Sequence, residues 1–220
     1  MTTGHVRARG TADRTPVTLT KSAPAVSLSK NGAARGLLRV NLNWTALPAK
    51  QTGGRFRRLL RRDNAIDLDL GCLYEYADGS KGVVQALGDA FKDEHSYGAN
   101  PIIWLDGDDR SGANSEGENL FIDLRRAEQV RRVLVFAYIY EGTPNWAAAN
   151  GMVTLYPHTG REVVIHLDEP DPAAPMVAIA LVENRGGDVV IDRQVRYIHG
   201  AQDTLDQAYG WGMRWTPGRK

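Results

Sequence analysis

The chain has 220 residues, 42% of them apolar, which is enough to bury the core of one large all-β domain. Lysine and arginine number 27 against 26 aspartates and glutamates, so no global field points to nucleic acid or to an acidic partner. The single cysteine, Cys72, excludes a disulfide framework or a thiolate zinc site within one chain, and no run approaches the roughly 20 apolar residues of a membrane-spanning helix.

In chain order, residues 1–22 read as a disordered basic tail, in which Arg7, Arg9 and Arg14 face only Asp13, and an ordered domain is expected over residues 23–220. Val26 and Leu28 alternate with polar neighbours ahead of the turn signal Asn31-Gly32. From Leu37 to Thr45 the alternation is strict: Leu38, Val40, Leu42 and Trp44 share one face, and Arg39, Asn41, Asn43 and Thr45 the other. Strand-like runs follow at Ile66 to Tyr76, Gly82 to Leu87, Ile102 to Leu105, Leu120 to Leu124, Val133 to Tyr140, Met152 to Tyr156, Val163 to Leu167, Val177 to Val182 and Val189 to Tyr197. Turn chemistry such as Asp78-Gly79, Thr159-Gly160 and Gly186-Gly187 separates them at short intervals, and helical signals are confined to Arg125 to Arg131 and Thr204 to Tyr209. The spacing predicts an all-β fold, a β-sandwich of two mainly antiparallel sheets with a few short helices.

Two acidic features stand out. Asp67 and Asp69 fall on one face of their strand, opposite Ile66, Leu68, Leu70, Cys72, Tyr74 and Tyr76, and side chains so placed sit roughly 7 Å apart. Such a pair repels unless it is well solvated or shares a cation. The second is the run Asp106 to Asn119, which mixes acids, amides, hydroxyls and glycines on a backbone able to curl around an ion. Many flexible oxygens suit calcium better than magnesium, and the absence of histidine and cysteine from the run disfavours zinc and copper. It is not an EF-hand, because no register puts glycine at the sixth position and glutamate at the twelfth. A solvated acidic turn between strands has the same composition, and both readings stand on the residues alone.

Asp67-Leu68-Asp69-Leu70, followed by Gly107-Asp108-Asp109-Arg110-Ser111-Gly112 and Gly117-Glu118-Asn119, resembles the signature of the TerD-domain family of tellurium-resistance and stress proteins. The segments Leu105 to Gly112, Tyr138 to Trp146 and Tyr209 to Trp215 are similar to its TerA branch, and the resemblance runs from about Ala25 onward. It implies a β-sandwich that binds calcium through the DLD strand and the acidic loop and takes part in tellurite resistance and wider stress responses, with no catalytic residues. By position it assigns Asp67, Asp69, Asp108 and Glu118 as metal ligands, with Asp109 and Glu116 next and Asn114 or Ser115 completing the shell. Asp109 stands where many relatives carry asparagine, Ser111 replaces threonine, and the loop is shorter and less acidic than theirs. The resemblance also implies other tellurium-resistance and stress proteins as partners.

The remaining features receive plainer readings. The five histidines show no zinc spacing, and Asp93-Glu94-His95 reads as solvated loop charge. Arg55, Arg57, Arg58, Arg61 and Arg62 form a basic segment that reads as a solvated linker or as a contact to anionic lipid headgroups, with no specific nucleic-acid binding expected. The tryptophans read as core, Trp146 excepted, which follows Pro144-Asn145 in an expected exposed loop. The basic N-terminus without an apolar centre predicts a cytoplasmic protein, at most peripheral to the inner face of the membrane. The leading expectation is a non-enzymatic scaffold or sensor. A metal-dependent hydrolase using the same carboxylates and a calcium-dependent ligand-binding sandwich are the alternatives.

Overall fold

The computed structural model describes residues 15–29, 35–44, 66–95, 100–107, 117–141, 146–168, 171 and 173–216. Two six-stranded sheets face each other. The first runs in the order β1 (Val17–Thr18), β10 (Val163–Leu167), β9 (Gly151–Tyr156), β3 (Leu37–Asn43), β7 (Glu118–Asp123), β6 (Ile103–Leu105). The second runs β2 (Ala25–Ser27), β12 (Asp188–Ile198), β11 (Met176–Arg185), β8 (Val130–Glu141), β4 (Asp67–Tyr76), β5 (Lys81–Gln85). All pairings are antiparallel except β1 with β10. Two short helices complete the order, α1 (Trp146–Ala149) and α2 (Gln202–Tyr209).

The strict alternation of β3 does what such a pattern requires. Leu38, Val40 and Leu42 are buried between the sheets, while Arg39 on the other face lies 4.2 Å over the Tyr156 ring. The inter-sheet core continues through Leu68, Leu70 and Cys72 of β4, Leu120 and Ile122 of β7, and Val133, Val135 and Ala137 of β8.

A second apolar layer lies on the far face of the second sheet. Leu73, Leu134, Phe136 and Met176 pack there against Leu205 of α2 and Trp211 beyond it. Asp206 holds this cover in place: its carboxylate accepts from the Gly212 and Met213 amides at 2.8 and 2.9 Å and from Trp215 Nε1 at 3.0 Å. Arg132 stacks 3.9 Å over Trp211 and donates to the buried Glu75, which also takes Arg131. Every residue of β4 is buried, so the Asp67 and Asp69 face is not the well-solvated one that would relieve their repulsion.

Three further differences follow from packing. The ordered chain starts before residue 23, because Val17 and Thr18 pair with Val163 and Val164 at the sheet edge, a contact too short to leave a periodicity. Trp146 is fully buried, with Nε1 donating to Ala174 O at 2.8 Å and its ring edge against Tyr197. Asp93 is buried too, its carboxylate accepting from the Ile102 and Ile103 amides at 2.7 and 2.8 Å. The basic segment Arg55 to Arg62 lies outside the described residues.

Candidate functional site

Asp67 and Asp69 open β4, on the face shared with Leu73. Their neighbour β8 carries an irregularity here: Asp67 pairs with Glu141 and Leu68 with Ile139, so Tyr140 is bulged out of the ladder. Tyr138, opposite Asp69, is buried, and its hydroxyl is pushed well above the usual phenol range first by that burial and then by the Asp69 carboxylate, with a further contribution from Glu118. Asp69 and Glu118 thus act on one hydroxyl although they belong to opposite sheets.

Glu118 reaches across because β5 stops short. The β4–β5 ladder ends at Gly71 paired with Gln85, so the Leu70 N–H points past the end of β5. Glu118 Oε2 accepts that N–H at 2.7 Å and takes the place of the missing strand carbonyl. Gly117 makes the approach possible: at φ +65°, an added Cβ would lie 2.1 Å from Leu42 O. The two ends of the acidic loop are clasped together beside it. Asn119 N–H and Nδ2 donate to the Asp106 carboxylate at 3.3 and 2.9 Å, and Asp106 N–H donates to Asn119 O at 3.2 Å. The Asn119 side-chain oxygen accepts in turn from Asn41 Nδ2 at 3.0 Å and Arg39 at 3.3 Å.

Asp67, Asp69 and Glu118 are all buried, and carboxylates taken out of water need compensation from donors or a cation. Among the described residues, no group of three or more His, Cys, Asp or Glu is arranged to hold a metal ion. Asp67, Asp69 and Glu118 are among those residues, so on their own they do not make a metal site; a calcium shell would need further oxygens from the loop that Asp106 and Asn119 close. Asp108, Asp109 and Glu116 belong to that loop and lie outside the described residues, as do Asn114 and Ser115.

No family model matches the chain. It is 42% identical over 204 residues to the tellurium resistance protein TerA of an Alcaligenes species, a match covering 93% of this chain and 58% of that protein. Its fold is shared with a homologue of the telluride resistance protein TerD, SCO6318 from Streptomyces coelicolor A3(2), at a TM-score of 0.50 and 17% identity over 78% of this chain and 95% of the other. The chain belongs to the TerD/TerA-like family. SAV2460, a protein of unknown function, has the same fold at a TM-score of 0.53 and 14% identity, again over 78% and 95% of the two chains. The TerA-like chain spans a little over half the length of its curated relative.

Within this TerA-like chain the clasp is what sequence reasoning does not see: Asp106 and Asn119 stand there only as the bounds of the acidic run, and Asn41 only as part of a polar strand face. Their signal was present as polar residues on the outward face of an otherwise regular strand, but a register is needed to see that Asn41 and Asn119 stand opposite each other. Cys72 is fully buried and its thiol is pushed far up by that burial, which makes it a poor nucleophile or reductant. Among the described residues, no helix is long and apolar enough to cross a membrane.

Proposed function

We propose that this chain is a calcium-binding, non-enzymatic protein associated with tellurite resistance, acting in the cytoplasm as a scaffold or sensor alongside other tellurium-resistance and stress proteins. The observation that carries the reading is the crossing of Glu118 from one sheet to the Leu70 amide of the other, next to Asp69 and at the clasped base of the acidic loop. Asp67, Asp69 and Glu118 would hold the ion from the sandwich side, and Asp108, Asp109 and Glu116 would close over it from the loop. When bound, the ion neutralises clustered carboxylates, so that loop ordering becomes calcium-dependent.

The tellurium role is supported by the resemblance to TerA, while the burial of Cys72 speaks against thiol-based reduction of the oxyanion. Calorimetric titration of the whole chain with calcium and with magnesium tests the reading. Calcium is expected to bind and to raise the melting temperature, and the double variant Asp67→Asn/Asp69→Asn to lose both effects. An undiminished shift in that variant would place the ion elsewhere; no heat from either metal would remove the reading.

A further inference from the structure

β5 is the outermost strand of its sheet. Tyr76 N–H donates to Ser80 O at 2.9 Å, and the register sets Glu75 opposite Lys81 and Leu73 opposite Val83. In an antiparallel ladder this phase turns the main-chain groups of Gly82 and Val84 toward β4 and those of Lys81, Val83 and Gln85 away from it. Gln85 spends its outward N–H on Ala90 O at 2.9 Å, where the chain begins its crossing to the other sheet. Among the described residues, no hydrogen bond reaches the outward main chain of Lys81 or Val83.

Those groups open into a cleft of about 980 Å³. On one side it is lined by the buried Tyr74, whose ring lies across Gly82; a Cβ on that glycine would lie 2.2 Å from the phenol oxygen. The hydroxyl meets His95 Nδ1 at 2.8 Å and accepts from the Glu94 amide at 3.3 Å. The opposite side is the segment beyond α2, fixed by Asp206 and by Lys81 Nζ donating to Trp211 O at 2.6 Å. Leu87, Met213 and Trp215 give that side an apolar lining next to Val83. Both walls are anchored, so the cleft exists without a ligand, and its volume lies at the upper end of the roughly 300–1,000 Å³ of ligand pockets.

We propose that this cleft receives an extended polypeptide segment of another protein, which adds as a further strand to β5. Alternating N–H and C=O groups spaced two residues apart along an open edge are complementary to a peptide main chain. The side chain that such a segment directs to the same face as Val83 meets Leu87, Met213 and Trp215, so an apolar residue is required there.

The test selects peptides from a random dodecapeptide phage library on the immobilised full chain and titrates them with a fluorescein label. Hydrogen exchange is then followed at single amides. Selected peptides are expected to share an apolar position and to slow exchange at Lys81 and Val83 by about tenfold or more. Val83→Pro removes an outward N–H without breaking the β4–β5 ladder, so it should fold and bind about tenfold more weakly or worse. If that variant does not fold, exchange in the unaltered chain decides. Failure to select any peptide, protection confined to other amides, or full-strength binding by a folded Val83→Pro variant would each overturn the proposal.

Discussion

Glu118 offers the sharpest test of how the two sheets are joined, because alanine and glutamine separate its hydrogen bond from its charge. Glu118→Ala removes the acceptor 2.7 Å from the Leu70 amide and leaves that donor buried without it. A hydrogen bond to a charged group contributes about 1.5–3 kcal/mol, and the orphaned donor keeps the loss near the upper half of that range. At about 2–4 °C per kcal/mol for a domain of this size, the melting temperature should fall by about 4–12 °C. Glu118→Gln keeps an oxygen acceptor but not the charge, so its loss should be about 1 kcal/mol, or about 2–4 °C. Calcium at about a hundred times its dissociation constant should stabilise the unaltered chain by about 2.7 kcal/mol, and neither variant should show more than a fraction of that gain. Differential scanning calorimetry with and without calcium reads all of these. A Glu118→Ala variant that melts within about a degree of the parent would refute the capping role, since even a net hydrogen bond of about 0.5 kcal/mol would move it that far. A glutamine variant with the full calcium gain would refute the role as a ligand while leaving the cap intact.

Three other outcomes are expected. The Glu75 carboxyl is pushed up by burial, but the Arg132 hydrogen bond and the charges of Arg132, Lys81 and Arg131 outweigh this and hold it below its ordinary value of 4.5. Its stabilisation is therefore complete above that value and is lost as pH falls through the lower folded value, so the deficit of Glu75→Gln, about 1–3 kcal/mol at neutral pH, should shrink in acid. A deficit that stays constant down to the acid transition would contradict this. Gly117→Ala combines a positive φ with a Cβ 2.1 Å from Leu42 O and should lower the melting temperature by an amount equivalent to about 2 kcal/mol or more; a neutral effect would mean that the loop base yields freely. Cys72 should resist Ellman's reagent in the native chain and react only at the rate of unfolding, whereas prompt labelling would reopen thiol chemistry as a route to tellurium.

The expected strands match those of the structure closely from β3 onward, because alternation and turn residues are local properties. β10 occupies Val163–Leu167, the run expected from sequence, and α2 covers the second expected helix with two more residues at its start. The misjudged positions share one cause, in that their surroundings come from elsewhere in the chain. Trp146 follows Pro144-Asn145, local chemistry that looks like a loop, yet its indole is covered by Tyr197 and hydrogen-bonded to Ala174 O. Asp93 looks like solvated charge until the Ile102 and Ile103 amides are seen to converge on it. For the candidate site, Asp67, Asp69 and Glu118 were legible as acids at motif spacing. That Glu118 caps the Leu70 edge was not, because it depends on where β5 ends.

By itself the amino-acid order determined which segments extend, which faces of β3 are apolar, and where acids are concentrated, since each of these rests on residues a few positions apart. Only tertiary structure decided that both faces of β4 are buried, because the cover over Leu73 is assembled from α2 and the segment fixed by Asp206, more than a hundred residues away. The same holds for the open main chain of Lys81 and Val83: hydrogen-bond phase follows from which strand lies beside which, and no local pattern encodes that choice.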